Sequence, residues 1–159
     1  MLSSQYPNNE LLANLASGTL VRAFKGAGHP LSLALVVEVV GGGQKLLCVL
    51  EGNPIPAVSA IGVQSLGAVL SGDYVIEPSN VASTAIYKPG QLLVNEQGAY
   101  LIGYNTLANQ ECAIELPSAA FRSAPVNSAR PIYFDQWALY AVDASGNKHA
   151  VFNYQRPQP

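Results

Sequence analysis

The sequence predicts an all-β protein: a small barrel or sandwich of antiparallel meanders, preceded by one short helix. Apolar runs rich in Val, Leu, Ile and Tyr recur along the 159 residues. Turns containing Gly or Pro separate these runs at intervals of roughly 8 to 12 residues. Within several runs the residues alternate between two faces at the period of a strand. This combination is typical of small barrels and sandwiches.

Residues 1–18 are predicted to form a polar arm followed by a short helix. The arm contains Pro7, and the sequence ELLANLA follows over residues 10–16. Asn9 is a suitable N-cap, and Gly18 lies where a helix would end. The sequence therefore predicts a helix over residues 10–16, after which the periodicity changes to that of a strand.

A long apolar hairpin over residues 31–51 (LSLALVVEVVGGGQKLLCVLE) organises the next part of the chain. A strand over residues 19–24 precedes it, and glycines at 41–43 supply the backbone freedom of a tight turn. Strand residues two apart share a face, so the second strand has one face with Leu46, Cys48 and Leu50 and another with Lys45, Leu47, Val49 and Glu51. We expect the first face in the core and the second half-covered by another layer or subunit.

The chain between this hairpin and residue 90 predicts more extended structure. Residues 57–70 carry a weak helical stripe, but Gly62 and Gly67 would each cost about 1 kcal/mol inside a helix, which favours strands. Two further strands and a turn are predicted at 74–77, 81–87 and 89–90.

The opening pattern recurs after residue 90. The stretch 90–117 (GQLLVNEQGAYLIGYNTLANQECAIELP) repeats the order of glycine-led strand, turn, second strand, polar turn and third strand found over residues 18–52. Cys112 falls on the core face of its strand, as Cys48 does. A last hairpin over residues 137–154 turns at 145–147 and closes the chain.

A glycine-led first strand, a loop, a long second strand of the LALVVEVV type and a hairpin partner resemble the opening of SH3-like small barrels, a group that includes many phage and bacterial structural modules. The resemblance implies two SH3-like units. A first β unit would span residues 19–88 and a second, with the closing hairpin, residues 89–159, either as separate domains or merged into one. Neither stretch carries the aromatic row with which SH3 domains bind proline-rich ligands.

The chain avoids charge, since Asp, Glu, Lys and Arg make up 11% of its residues against about 25% in a typical soluble domain. A surface with so little charge is expected where copies of the chain, or another protein, cover part of it. We therefore expect a homo-oligomer. The apolar runs are far shorter than the ~18 residues of a spanning helix, and the N-terminus has no signal-peptide pattern, which predicts a cytoplasmic or virion-associated protein without membrane contact.

Catalytic candidates are few. His29, in the loop KGAGHP, and His149, after the last turn, are possible general bases, because His titrates near neutrality. Asp135 is the acidic partner in a hydrolase hypothesis. The two cysteines are not spaced like metal ligands, and no nucleotide-binding motif is present. The sequence therefore predicts no metal site and no cofactor, and it favours a non-catalytic protein.

The densest aromatic stretch, PIYFDQWALY over residues 131–140, contains the only Trp. Trp and Tyr contribute strongly to interfaces, although the same residues would also serve to plug one end of a barrel. A self-association interface is predicted at Tyr133, Phe134, Trp137, Tyr140, Leu47 and Val49.

The function that the sequence favours is a structural or binding module that assembles with itself, as in phage or bacterial accessory proteins. The alternatives are a small hydrolase and a small barrel that binds nucleic acid. The net charge of −2 and the scattered positions of the eight Lys and Arg residues disfavour the latter, since phosphate binding needs clustered basic side chains.

Overall fold

The computed structural model describes residues 9–23, 32–51, 55–62, 65–82, 87–127 and 129–156. The regular structure in these ranges is β apart from one 3-10 turn, which confirms the predicted fold class. The strands are β1 (Asn9–Leu11), β2 (Leu20–Ala23), β3 (Ser32–Val39), β4 (Lys45–Val49), β5 (Ala57–Ala60), β6 (Leu66–Ser71), β7 (Tyr74–Val81), β8 (Leu92–Asn95), β9 (Gly98–Asn105), β10 (Gln110–Leu116), β11 (Ala120–Arg122), β12 (Ile132–Val142) and β13 (Lys148–Gln155).

Six of these strands close into a barrel. The antiparallel meanders β3-β4-β5 and β9-β10-β11 lie side by side. Two parallel pairs join them: Val58 of β5 pairs with Asn105 of β9, and Phe121 of β11 pairs with Val39 of β3. We call these two junctions the seams. They close the sheet, so the barrel strands have no free edge along most of their length.

The two halves of the barrel are built alike, down to individual hydrogen bonds. Gly18 N–H donates to Val36 O at 2.8 Å, and Gly90 N–H donates to Ile102 O at the same distance. Both glycines have a positive φ, +92° and +97°, a conformation that glycine adopts without steric cost. Residues 18 and 90 are therefore equivalent positions of a repeated unit.

The seams repeat in the same way. At one seam Thr106 N–H donates to Val58 O at 3.0 Å, and at the other Val40 N–H donates to Phe121 O at 3.2 Å. Outside the barrel, β2 pairs with β6 in the first half and β8 pairs with β12 in the second. The chain thus contains an internal two-fold repeat in which β2 to β6 correspond to β8 to β12, and this correspondence accounts for the recurrence in the sequence.

The main core fills the barrel interior. Leu46, Cys48 and Leu50 lie in it, as the strand alternation predicts. The opposite face of the same strand is also covered: Leu47 and Val49 are 6% and 2% exposed and pack in a second cluster with Leu12 and Leu15. The layer over this face is therefore supplied by the N-terminal segment of the same chain.

The predicted helix over residues 10–16 is wrong. Asn9–Leu11 forms β1, which pairs with β6, and only a single 3-10 turn follows at Leu12–Asn14. Asn9 thus lies in a strand instead of capping a helix. A helix this short does not sustain itself in water, whereas the extended segment gains hydrogen bonds to β6 and places Leu12 and Leu15 on the second cluster.

Extended structure between residues 57 and 70 is confirmed by β5 and β6. The separate strands predicted at 74–77 and 81–87 differ from the structure, because β7 continues through Pro78 to residue 81. Among the described residues β7 pairs only with β12, and an edge strand tolerates a proline whose missing N–H would face outward. Residues 83–86 lie outside the described residues.

Candidate functional site

Three strands outside the barrel, β7, β12 and β13, extend its sheet through the pairing of β12 with β8, and we call them the projecting sheet. β12 is its centre, with β7 on one side and β13 on the other. Trp137 and Leu139, on the inner face of β12, belong to the main core. The turn between β12 and β13 and the start of β13 are exposed. The projecting sheet is therefore anchored by one face and accessible at its rim.

β13 is the long open edge of this sheet. Within the ranges that the structure describes, β13 pairs only with β12 along its eight residues. Val142 N–H donates to Asp73 O at 3.2 Å, toward β7. Val142 thus turns its N–H away from β13, and its cross-strand neighbour Lys148 turns its own N–H and C=O away from β12. Backbone groups point alternately to the two sides along a strand, so Ala150, two residues further on, also turns its groups away from β12.

The far end of β13 shows the same arrangement. Arg156 N–H donates to Asp135 O at 2.9 Å, toward β12. By alternation, Gln155 and Asn153 turn their backbone groups outward. Tyr140 pairs with Ala150, and the next residue of β12, Leu139, pairs with Phe152, so Val151 is an extra residue in β13. This bulge separates the two ends of the strand. Four residues of β13 therefore offer outward N–H and C=O groups: Lys148, Ala150, Asn153 and Gln155.

Charged and polar side chains pair with one another across the outer face of the projecting sheet. Lys148 Nζ lies 4.9 Å from the centre of the Tyr140 ring and forms an ion pair with Glu77. The hydrogen bond to Glu77 raises the pKa of Lys148. Nearby, Asn80 Nδ2 donates to Gln136 Oε1 at 2.6 Å. Tyr140 is the one residue of the predicted aromatic interface that lies on this face.

The other three aromatic residues of that prediction lie elsewhere. Trp137 is 1% exposed, Phe134 packs partly buried against the main core, and Tyr133 packs against the outer cluster of the second half. With Leu47 and Val49 also covered by the chain, most of the predicted interface residues are occupied within one molecule. Trp137, Leu47 and Val49, the buried members of this set, have little surface left for contact with another molecule.

Trp137 packs in the main core against β13 and the glycine that precedes β8. Its indole Nε1 donates to Gly90 O at 3.0 Å, and its ring stacks on Tyr154 with centroids 4.8 Å apart and planes 13° apart. Burial raises the pKa of Tyr154 to about 12. This cluster ties β12 and β13 to the repeated glycine of the second half.

Asp135 has a structural role beside this cluster. Gln91, which is fully buried, donates from Nε2 to Asp135 Oδ1 at 3.1 Å. Arg156 Nη1 lies 3.5 Å from the same oxygen, and both side chains of this ion pair are mostly buried. The carboxylate of Asp135 is thus used to fasten the end of β13 to the barrel.

Of the two histidines in the hydrolase hypothesis, His149 does not lie near Asp135. His149 pairs with Ala141, six positions along β12 from Asp135, a separation of about 20 Å in a strand. His149 Nε2 lies instead 2.9 Å from Asp143 Oδ2 on the exposed turn. That hydrogen bond, with those from the turn backbone, lowers the pKa of Asp143. His29 lies outside the described residues.

Both cysteines are buried in the main core as free thiols. They are not equivalent in the repeat: Val37 pairs with Leu46 and its counterpart Gly103 pairs with Cys112, so Cys112 takes the place of Leu46. Burial, with the proximity of Cys112 adding to it, raises the pKa of Cys48 far above its usual range. Burial raises the pKa of Cys112 to about 12.

We expect neither thiol to react with a disulfide reagent such as DTNB at pH 8 while the protein is folded, because the thiolate is the reactive form. Labelling kinetics across a urea series test this. Both thiols should react at rates that follow global unfolding, and the fully denatured chain, which provides the control, should give two equivalents. Rapid labelling of either cysteine in the absence of urea would contradict it.

Four of the Lys and Arg side chains among the described residues lie in separate ion pairs. Arg22 pairs with Glu51, Arg122 with Glu115, Lys148 with Glu77 and Arg156 with Asp135. Each acid in these pairs offsets the positive charge of its partner locally. Among the residues described, no three His, Cys, Asp or Glu side chains cluster in a way that could hold a metal ion. Nor do those residues include a helix long and apolar enough to cross a membrane.

An open cleft of about 350 Å³ lies on the outward face of the second half, next to Tyr100 and Arg122. Its other main lining residues are Gln97, Pro125, Val126 and Asn127. Arg122 donates from Nε to Glu115 at 2.8 Å, and its Nη2 lies 2.6 Å from the same oxygen. The guanidinium is therefore committed to an internal partner, and the polar groups left in the cleft include the side-chain amides of Gln97 and Asn127.

These features define a class of protein: a β-barrel with an internal two-fold repeat and a projecting sheet that ends in an open strand. Comparison with known proteins finds no matching family model, no similar curated protein and no similar solved structure.

The residues that sequence reasoning missed are the outward-facing ones of β13. Their signal is the stretch KHAVFNYQ, which lacks the proline and the repeated charges that usually protect an edge.

Proposed function

We propose that this protein is a non-catalytic structural module that joins protein chains by strand addition at β13. The observation that carries the proposal is the set of four outward-facing residues along an exposed edge. An extended segment placed beside such an edge gains main-chain hydrogen bonds without any rearrangement of the sheet.

The comparison between the edges of the sheet supports β13 as the binding strand. β1, at the other end of the strand order, has three residues. The outer edge of β7 is interrupted by Pro78. β13 has eight residues, no proline, and a single charged residue, Lys148, already paired with Glu77. Short strands and prolines protect edges from pairing, and β13 lacks both protections.

We further propose that the two repeated halves are SH3-like units and that the chain serves as an accessory part of a larger assembly, of the phage or bacterial type. The glycine-led strands at Gly18 and Gly90 and the paired meanders support this proposal. The role fits the low charge of the chain, since an assembly component has much of its surface covered.

The experiment uses a capped peptide of alternating Thr and Val with a Lys at each end, titrated into the full-length protein and followed by amide chemical shifts. We expect the outward amides of Lys148 and Ala150 to shift on binding, because they would donate to the peptide. Ala150→Pro removes an outward N–H and should weaken binding by about tenfold or more. Ala144→Pro, in the adjacent turn, is the matched control and should bind as the wild type does.

Shifts spread over the barrel instead of β13, or equal binding by both proline variants, would remove strand addition at β13 as the function.

A further inference from the structure

We infer that the natural occupant of the β13 edge is β13 of a second copy, paired antiparallel about a two-fold axis to give a homodimer. The inference rests on the proposed function and names the partner of the same edge. The self-association surface predicted from the sequence includes Trp137, Leu47 and Val49, which are buried within one molecule. We assign self-association instead to the backbone of β13.

The outward groups of β13 match those of a second β13. An axis between residues 151 and 152 places Ala150 opposite Asn153 of the other copy, and Lys148 opposite Gln155. Each of these residues turns its backbone outward, so every opposed pair exchanges two hydrogen bonds, or about eight across the dimer. The strand is therefore complementary to itself over its whole length.

The side chains agree with this register. Lys148 is the one Lys or Arg residue of β13, and antiparallel pairing puts it opposite an amide at the far end of the neighbouring strand. A parallel arrangement would place two Lys148 side chains side by side, which like charge disfavours. Val151 and Phe152, on either side of the axis, pack partly buried against the main core of their own chain. The pairing is therefore carried by the backbone of β13, with its polar side chains toward the ends.

The pairing joins the two projecting sheets edge to edge, with their strands in the order β7-β12-β13-β13-β12-β7. One strand pair is a small interface, so we expect a dimer that dissociates at roughly micromolar concentration.

The first test is the mass of the full chain in solution by sedimentation velocity, from about 1 to 500 μM, a range that brackets a micromolar equilibrium. We expect the wild type and Ala144→Pro to move from monomer to dimer, and Ala150→Pro to remain monomeric throughout. Ile132→Ser alters an exposed apolar residue that lies away from the edge, 48% exposed, and should dimerise like the wild type. A monomer at every wild-type concentration, or a dimer lost in Ile132→Ser and kept in Ala150→Pro, would overturn the inference.

The second test measures the formation of a disulfide crosslink, and its result does not depend on whether Ala150→Pro folds. In the double variant Ala150→Cys/Asn153→Cys, opposed residues lie about 5.5 Å apart between Cα atoms, within the range of a disulfide. Mild oxidation should give a covalent dimer. Ala144→Cys/Asn153→Cys also adds two thiols but leaves position 150 unchanged, and it should remain uncrosslinked. Equal crosslinking of both variants would exclude this register.

The outcomes separate the two proposals. Peptide binding at Lys148 and Ala150 by a chain that stays monomeric leaves strand addition in place and removes the second copy as its partner. Loss of peptide binding, of the dimer and of the crosslink together removes both.

Discussion

Replacing Gly90 with alanine is expected to lower the free energy of unfolding by about 3 kcal/mol or more, the sum of a left-handed backbone cost and an overpacking cost. The backbone φ is +97°, and a Cβ atom built there would lie 2.9 Å from Tyr154 Cζ and closer still to the hydroxyl oxygen. The ring of Tyr154 has little freedom to move, because Trp137 stacks on it.

Urea denaturation measures this loss, and the repeat provides a matched control. Gly18 has φ +92°, but nothing lies closer than 3.9 Å to a Cβ at that position. Gly18→Ala should therefore cost only the backbone term, about 1 kcal/mol. Equal losses in the two variants would show that the contact with Tyr154 relaxes freely, contrary to the role assigned to this cluster.

Truncating Trp137 to alanine is expected to cost about 3–5 kcal/mol, the range for removing a large buried aromatic side chain. The residue is 1% exposed and its indole N–H is bonded to Gly90 O. A typical domain has only about 5–15 kcal/mol of stability in total, so this variant should be largely unfolded at moderate urea concentrations. Circular dichroism against urea gives the measurement.

Two further variants separate the contributions of Trp137. Trp137→Phe keeps a ring for stacking but leaves Gly90 O without its donor, and should cost about 1–3 kcal/mol. Leu107→Ala removes a large side chain that is 57% exposed and should change stability by less than about 0.5 kcal/mol. A loss of less than 1 kcal/mol in Trp137→Ala would contradict the assignment of this residue to the packed main core.

Local patterns in the sequence predict the hairpins well. The glycines at 41–43 turn the first hairpin, where Gly41 and Gly43 have φ of +79° and +70°, and the alternation around Cys48 places that residue in the core. These features depend on neighbouring residues only. The N-terminal helix fails because the competing partner, β6, lies more than fifty residues away in the chain, and local propensity carries no information about it.

The seams and the open edge depend on strand order, which periodicity does not encode. Nothing near Val58 indicates that it pairs in parallel with Asn105. Likewise, the alternation within β13 predicts a strand but not that its far side faces outward. The sequence context of Trp137 is compatible with a surface position and with a core position. In the structure the residue lies in the core, where its indole N–H donates to Gly90 O. The candidate site was thus less predictable than the fold, because edges are a property of the assembled sheet.

The two seams also govern how this chain must fold. β5 and β11 each find one of their two neighbours in the opposite half, more than forty residues away in sequence in the nearer case, so neither meander completes its sheet alone. Hydrogen bonds at a seam form only after a long loop has closed, so the chain loses conformational entropy before it gains the free energy of those bonds. Proteins dominated by such distant contacts fold slowly, in milliseconds to seconds. For this barrel, the kinetic barrier lies in bringing two similar halves into mutual register.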